Sequence, residues 1–554
     1  MELFEHVNAS GFPNFECCRI PIINSGLKMS SWYERLEDYE DKIVCQLLEF
    51  GFPLDFDKSK QLVPDVGRNH KGARDYPEFI NTYLRNECDA SRMVGPFEEN
   101  PLSVSLIVSP MNSVPKSVEG ERRVIVDLSW PVGASVNDGI SKDIYLNENT
   151  DLHYTSVEEV CQMVRKIGPG ALIYKRDLKH AYRQIPVDPK DYCYLGYFWE
   201  NNWYFDTVLA MGQRNAAMAC SRTTKAVMHI HNEAGHNGTS YLDDLIGVSE
   251  PDSGTRGYDH LGNLLSDLGL LENKSKACSP ATVQDVLGVE LDTVNMTISV
   301  TKERLEETKI LLESWMKKRY ASKKELQSLI GKLCFITKCV RQSRIFLNRM
   351  LNLLRSMSTS QKKVHLDESF MKDVRWWKEF VSRFNGVSFI PPEVWAEPDV
   401  SFSTDSSLQG CGGFCSDEYF HSEFPEFIQK QDLPIHCLEL LAVLVAVRSW
   451  GHRYAGGKVQ IFCDNEASVK VINSSKTTDM FMATCLRELW LEVSQYKFEL
   501  RAIHLPGVEN RVADWLSRWH VHTNYQNFFN NFNSDNSLKE IIVLKDRFMF
   551  TGNL

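Results

Sequence analysis

Hydrophobic and polar positions change period several times along the chain. Up to about residue 100 the apolar positions recur at helical spacing in short pieces broken by Pro and Gly, as in SSWYERLEDYEDKIVCQLLEFGFP (Ser30–Pro53). From about Leu102 to Asp292, strand-like runs alternate with helix-like ones. The strand-like runs are SVSLIVSP, RRVIVDLS, ALIYKRDL, NWYFDTVLAM, TSYLDDLIGV and DVLGVELD. Helical spacing predicts helices over TSVEEVCQMVRKIG (Thr155–Gly168), NAAMACSRTTKAVMHIHNEAG (Asn215–Gly235) and YDHLGNLLSDLGL (Tyr258–Leu270). This mixture predicts an α+β chain. Residues 301–385 read as helical, and PPEVWAEPD (Pro391–Asp399) as a linker. Strands resume at VSFSTDSS and alternate with helices to about Arg518. The Asn-rich stretch NYQNFFNNFNSDN (Asn524–Asn536) predicts a poorly ordered tail. No internal repeat is present.

At 554 residues the chain is long enough for several domains. Its hydrophobic content of 43% and charged content of 24% are those of a globular protein. The most apolar run, LELLAVLVAV (Leu438–Val447), is too short for a membrane span and carries Glu439, so it reads as a buried helix and no membrane is expected. MELFEHVNAS has neither the basic nor the apolar region of a secretory signal. Fifteen scattered cysteines fit a reduced, cytoplasmic or nuclear setting. The net charge of −11 argues against a polyanion partner, but it hides an asymmetry. Lys302–Lys363 holds 16 Lys and Arg against 5 Asp and Glu, a local +11 that leaves −22 for the remainder. Such a basic stripe suits a nucleic-acid backbone, or else only a solvated helical face.

Two sets of carboxylates carry the candidate chemistry. ALIYKRDL is an apolar strand that ends on Asp177. TSYLDDLIGV (Thr239–Val248) places Asp243 and Asp244 inside an apolar run. Adjacent buried charges need compensation. Strand alternation puts Tyr241 and Asp243 on one face and Leu242 and Asp244 on the other. Apolar flanks on both sides place the pair at the tip of a β-hairpin. Carboxylates on neighbouring strand ends are what phosphoryl transfer by two divalent ions requires, since Mg²⁺ takes oxygen ligands and keeps several waters. The bland alternative is an exposed Asp-Asp turn.

The second set is Asp405, Glu439, Asp464 and Asp514. Asp405 ends a strand and Glu439 sits in the first turn of a helix. Asp464 ends KVQIFCD, and Asp514 lies on a last helix, VENRVADWLSR. Taken singly, Glu439 could serve the helix dipole and Asp464 an N-cap. Taken together, they could hold two Mg²⁺ around a scissile phosphate. PDSG (Pro251–Gly254) resembles an aspartic-protease triad but lacks the preceding apolar strand, so it reads as a turn. Cys411/Cys415 and His520/His522 lack a second pair at zinc spacing.

These residues resemble a known family. YLDD between apolar runs, preceded by RDLKHAY, is similar to the palm of a reverse transcriptase. RRVIVDLS (Arg122–Ser129), LAMGQRNAA (Leu209–Ala217), VLGVELD (Val286–Asp292) and SKKELQSLIGKLCF (Ser322–Phe335) follow in the family's order. The pattern TDSS…ELLAV…DN…PGVENRVAD resembles ribonuclease H. The resemblance implies a multidomain α+β protein: a right-hand polymerase (fingers, palm, thumb) followed by a ribonuclease H-like α/β domain. Its divisions would be a helical extension (1–95), fingers and palm (96–300), a basic thumb and connection (301–390), the ribonuclease H-like domain (398–520) and a tail (521–554). It implies RNA-directed DNA synthesis and cleavage of RNA in RNA–DNA hybrids. Partners would be an RNA template, a DNA primer, the hybrid and deoxynucleoside triphosphates, with two Mg²⁺ or Mn²⁺ per site.

Asp177 and Asp243 would hold metal and Asp244 would support them. Lys116 and Arg123 would face the triphosphate, Arg forking over its oxygens. Tyr182 would exclude a 2′-OH, Met211 and Gly212 would lie behind the nucleotide, and Lys276, in competition with Lys274, would protonate the leaving pyrophosphate. His504, ten residues before Asp514, stands where some ribonucleases H keep a mobile histidine. Met211 replaces a Gln or Phe of many relatives, and GQRNAAM lacks their Pro. LLEFGFPLDFD and RRVIVDLSWPVGASVNDGI most resemble DIRS and Ngaro retroelements, with gypsy-like elements as the alternative. Two other readings stay open: a domesticated nucleic-acid-binding protein that keeps the fold with weak or no catalysis, and a nuclease whose polymerase half only binds.

Overall fold

The computed structural model describes residues 21–550 except 23–24, 61, 63–66, 117–119, 150–151, 153, 359–361, 384–386, 390–396 and 497. Most of the expected linker PPEVWAEPD lies outside the described residues. The chain is a mixed helix and strand protein that divides into two compact units, the first reaching to Leu287 and the second beginning at Gly288.

The principal elements of the first unit are α1 (Met29–Arg35), α2 (Val44–Phe50), α3 (Pro77–Asp89), β1 (Met93–Phe97), β2 (Met111–Pro115), β3 (Arg122–Val126), α4 (Val157–Ile167), β4 (Leu172–Asp177), β5 (Gly196–Trp199), β6 (Asn202–Asp206), α5 (Ala216–Glu233), β7 (Asn237–Tyr241), β8 (Asp244–Ser249), α6 (Arg256–Leu268) and β9 (Cys278–Ala281). Local signals explain several boundaries. Ser156 caps α4 in a reciprocal box with Glu159, and Gly168 ends the helix at φ 98°. The functional sheet has the order β9-β4-β8-β7, all neighbours antiparallel. One hydrophobic core joins Trp32, Leu48 and Phe52 from the first sixty residues to Tyr174, Val227, Leu245 and Leu265. The N-terminal helices therefore share their core with the sheet that follows.

Two expected strands differ. SVSLIVSP forms no strand and makes only a bridge from Val108 to Gly196. Pro110 has no N–H with which to extend the ladder. DVLGVELD is broken at Leu287 (φ 48°) and Gly288 (φ 83°). Two successive positive φ values make a tight turn between Val283–Val286 and Val289–Asp292, and the unit boundary falls within it.

After the strands Val289–Asp292 and Thr297–Ser299, the second unit continues with helices α7 (Lys302–Trp315), α8 (Lys323–Ile336), α9 (Asn348–Ser356) and α10 (Glu368–Arg383). Ser322 and Glu325 form the box that starts α8. Then follow β10 (Val400–Ser406), β11 (Gly410–Cys415), β12 (Glu418–Glu423), α11 (Ile435–Trp450), β13 (Lys458–Cys463), α12 (Glu466–Ser474), α13 (Met480–Tyr496), β14 (Glu499–His504), α14 (Arg511–Ser517), α15 (Thr523–Asn536) and β15 (Lys539–Glu540). The sheet order is β14-β13-β10-β11-β12-β15. β10, β13 and β14 run parallel, and β11 and β12 return antiparallel. α11, with its short extension to Tyr454, is the one helix among the described residues long and apolar enough to cross a membrane, and 78% of its most apolar window is buried inside the protein.

The tail departs from expectation. Thr523–Asn536 is a helix, and Lys539–Glu540 adds a parallel edge strand beside β12. The asparagines are interleaved with aromatics at helical spacing. Phe529 is fully buried against Tyr419 and Trp519, and Phe528 and Phe532 pack on Trp515. Burial of that stripe outweighs the poor helix propensity of Asn.

Candidate active sites

The first site is built by strand register. β4 ends on Asp177, which is 4% exposed. Antiparallel pairing of β8 with β4 sets Asp244 directly opposite Asp177. β8 also pairs with β7, setting Asp244 opposite Tyr241. The tip is thus a two-residue turn, Leu242–Asp243, with Leu242 at φ 54°. This corrects the alternation drawn from sequence. Directly paired residues share a face, so Tyr241, Asp244 and Asp177 lie together, because the turn interrupts the two-residue period. Asp243 occupies the turn itself, and its carbonyl accepts the Leu178 N–H at 3.1 Å.

The cation beside this cluster is Lys276, whose Nζ lies 3.0 Å from Asp177 Oδ2. That hydrogen bond holds the Lys276 ammonium above its ordinary pKa. Burial pushes the Asp243 carboxyl up, and the charge on Asp177 adds to the shift. Burial likewise raises Asp244, followed by the charges on Asp243 and Asp177. Lys175 also faces Asp244, and two ammonium groups do not offset three converging carboxylates. Tyr182, in the short helix Ala181–Gln184, packs on the core, and its hydroxyl is pushed up to about 12 by burial, with Cys220 and Asp243 adding.

The other sequence candidates of this unit sit on or beside the β2–β3 hairpin. Arg123 is exposed, whereas Arg122 turns inward: its Nε donates to Ser113 Oγ at 2.9 Å and its guanidinium stacks over Tyr76. Lys116 pairs with Glu121 at 2.9 Å, both exposed. Met211 is exposed on the loop before α5. Gly212 has φ +97°, and a Cβ there would meet the Val126 carbonyl at 3.3 Å. Asn137 fixes that loop, donating to the Gly212 carbonyl at 2.9 Å and accepting from the Arg214 N–H at 2.9 Å. Among the described residues no hydrogen bond or ion pair links Lys116, Arg123, Met211 or Gly212 to Asp177, Asp243 or Asp244.

The second site gathers all four of its predicted acids. Asp405 lies on the central strand β10 and is 3% exposed. Glu439 projects from α11, where its Oε1 accepts the Ser406 N–H at 3.1 Å. Asp464 follows β13, and Asp514 lies on α14. A pocket of about 370 Å³ is lined by Asp405, Ser406, Glu439, Asp464 and Arg518, among others. Burial pushes Asp405 up to about 7, with Asp464 and Asp514 adding and a hydrogen bond from Ser517 opposing. Burial, then Asp405 and Asp464, drives Glu439 well above the ordinary carboxylate range. Asp464 is raised by burial and Asp514, and shares a hydrogen bond with Asp405. Three of the acids line the pocket with the single guanidinium of Arg518, and Asp514 adds its charge at Asp405 and Asp464, so the site is short of positive charge. Hard oxygen donors of this kind suit Mg²⁺ or Mn²⁺. His504 ends β14, with Nε2 3.0 Å from the Asp464 carbonyl oxygen.

Sequence reading missed three residues here. Ser517 Oγ donates to Asp405 Oδ2 at 2.5 Å. Arg518 Nε donates to Asp514 Oδ1 at 2.6 Å. Buried Asn510 ties the start of α14 to β10 through the Thr404 carbonyl at 2.9 Å. Ser517 and Arg518 follow Asp514 by three and four positions, the spacing that places side chains on one helix face, so the signal was present.

No family model matches the chain. It is 22% identical over 393 residues, 67% of its length, to polyprotein P3 of Commelina yellow mottle virus, and it spans 19% of that polyprotein. The chain also aligns, at TM-scores below 0.5, with solved complexes of the foamy viral protease-reverse transcriptase. With the dRH form in complex with double-stranded DNA the TM-score is 0.49 at 13% identity, covering 91% of this chain and 82% of that one. With the protease-reverse transcriptase in complex with double-stranded DNA it is 0.48 at 13%, covering 91% and 98%. With the RNA/DNA hybrid complex it is 0.46 at 14%, covering 92% and 64%.

Proposed function

We propose that this chain is an RNA-directed DNA polymerase of a retroelement with a fused ribonuclease H. The observation that carries the reading is a pair of separate carboxylate clusters, one in each unit, each assembled from residues distant in sequence. The first unit would be palm and fingers. The second would hold the basic thumb helices and the ribonuclease. The DIRS, Ngaro or gypsy-like subgroup is part of the same proposal, as is a cytoplasmic or nuclear setting.

In the polymerase site Asp177 and Asp243 would hold two Mg²⁺ or Mn²⁺, and Asp405, Glu439, Asp464 and Asp514 would hold two in the nuclease site. When bound, such ions neutralise phosphate charge and lower the pKa of an attacking oxygen. The chain's own residues do the rest. Asp244, paired with Asp177, shapes the local field. Tyr182 packs beside Asp243 and would bar a 2′-OH from the sugar position. Arg123, exposed and able to fork over phosphate oxygens, and Lys116 would neutralise the triphosphate. Lys276, whose ammonium lies 3.0 Å from Asp177, would deliver a proton to departing pyrophosphate. In the nuclease site Ser517 orients Asp405, and the Ser406 N–H orients Glu439. The basic helices between Lys302 and Lys363 would follow a duplex backbone without reading its sequence.

The test is primer extension on an RNA template with Mg²⁺, run beside hybrid cleavage, for wild type, Asp243→Asn and Asp464→Asn. Each substitution is expected to abolish one activity and spare the other. Absence of extension by the wild type, with hybrid cleavage intact, removes the polymerase claim. Absence of both leaves a binding protein.

A further inference from the structure

Arg518 is the cation that lines the pocket holding Asp405, Glu439 and Asp464. It is the residue after α14, where a positive charge also suits the C-terminal end of a helix. The end of α14 is fixed on the sheet: a Cβ at Gly412 of β11 would meet Leu516 Cβ at 2.4 Å. Arg518 Nε donates to Asp514 Oδ1 at 2.6 Å, and Asp514 is the carboxylate it pairs with among the described residues. Its guanidinium carbon lies over the Tyr525 ring, 5.7 Å from the centroid. Tyr525 belongs to α15, the helix of the Asn-rich tail. That helix is anchored beside Arg518 at two points. Gln526 Nε2 donates to the Trp519 carbonyl at 2.9 Å, and buried Phe529 packs on the Trp519 ring. Arg518 is thus held by a carboxylate and an aromatic ring, yet its side chain stays 46% exposed.

We propose that Arg518 binds a phosphate of the nucleic acid cleaved in the second unit, and that the tail helix α15, through Tyr525, holds it in position to do so. The inference deepens the ribonuclease reading and rests on it. A guanidinium carries five N–H donors in a planar fork, so one donor spent on Asp514 leaves others able to take phosphate oxygens. The charge fits as well. A phosphodiester is an anion entering a pocket lined by carboxylates, and Arg518 is the lining group that attracts it. Holding the side chain matters because a long, free arginine loses rotamer freedom when it binds. The contacts to Asp514 and Tyr525 restrict it before substrate arrives, so less is lost on binding. An arginine face over an aromatic ring is a favourable arrangement in its own right, and it leaves the edge of the guanidinium for hydrogen bonds. Tyr525 acts through Arg518 and is a positioning residue. The Asn-rich helix therefore has a task in substrate binding beyond covering the sheet.

The experiment is steady-state cleavage of an RNA–DNA hybrid by the full chain across titrations of Mg²⁺ and of salt, with kcat and KM determined separately. The variants are Arg518→Met, Arg518→Lys, Tyr525→Leu and Tyr525→Phe, and folding is checked by circular dichroism. Arg518→Met is expected to raise the hybrid KM on the order of 10-fold or more while kcat stays within about twofold. The slope of log KM against log salt should fall by about one, the mark of one lost phosphate contact. Arg518→Lys should recover part of the loss. Tyr525→Leu should raise KM about 2–5-fold with the salt slope kept, and Tyr525→Phe, which retains the ring, should rescue it. An active wild type with KM and salt slope unchanged in Arg518→Met would overturn this inference and leave the ribonuclease reading standing. So would a loss of kcat or a shifted Mg²⁺ dependence at unchanged KM, which marks a contact that only holds Asp514. Equal KM values for Tyr525→Leu and Tyr525→Phe would remove α15 from the proposal. A wild type that cleaves no hybrid overturns the ribonuclease reading and this inference with it.

Discussion

Replacing Asp405 by asparagine should stabilise the metal-free protein while abolishing hybrid cleavage. Asp405 keeps its proton up to about 7 in the folded chain, against an ordinary 3.8. Between those values the folded state binds a proton that the unfolded state has lost, so stability falls as pH rises through the window. One pKa unit corresponds to about 1.4 kcal/mol, so the shift of about three units sets a ceiling of about 4 kcal/mol, fully expressed above pH 7. Asparagine cannot ionise and still offers an oxygen to the Ser517 hydroxyl, which now donates at 2.5 Å. In EDTA the Asp405→Asn chain is therefore expected to exceed the wild type by up to about 4 kcal/mol at pH 8 and by almost nothing at pH 4. The assay is urea denaturation across that range, followed by fluorescence of tryptophans in the second unit, such as Trp450. Adding Mg²⁺ should raise the stability of the wild type more than that of the variant, because binding to the native state adds its own free energy. The reasoning is refuted if the variant is less stable than wild type at pH 8, or if the difference is flat with pH.

Three further outcomes test other parts of the structure. Asp243→Asn should reduce primer extension more than Asp244→Asn, because Asp243 occupies the tip beside Tyr182 while Asp244 also faces Lys175; equal or reversed losses would show that distinction to be wrong. Asp206→Ala should cost about 3–5 kcal/mol in chemical denaturation, since it removes the carboxylate that takes two 2.6 Å hydrogen bonds from buried Arg183 and leaves that guanidinium with Glu87 alone. Phe529→Ala should cost about 3–5 kcal/mol and expose the tail to proteolysis, because this ring anchors α15 on Tyr419 and Leu516; unchanged stability would mean the tail is dispensable to the core.

The chemistry of this chain was more legible than its boundaries, and the reason is physical. A carboxylate at the end of an apolar strand is costly wherever it falls, so Asp177, Asp405 and Asp464 stand out against their surroundings without any knowledge of the fold. Capping boxes at Ser156 and Ser322 likewise announce helix starts locally. What could not be read depended on partners far along the chain. The faces of Asp243 and Asp244 follow from a two-residue turn whose register is fixed by pairing with β4, some 67 residues earlier at Asp177. The order of the Asn-rich tail follows from Trp515, Trp519 and Tyr419, which give Phe528, Phe529 and Phe532 somewhere to bury. Polar composition predicts disorder only when the aromatics within it have no docking surface. The compensation for the YLDD charges is divided in the same way. Lys276 meets Asp177 at 3.0 Å through a contact spanning 99 residues, yet it leaves Asp243 and Asp244 raised by burial and by neighbouring carboxylates. A site neutral without metal would need a third cation beside Lys276 and Lys175. The unbalanced charge is the property that a divalent ion would remove, so measured metal affinity at this cluster should fall when Asp177 or Asp243 is neutralised and rise when Lys276 is replaced by Met.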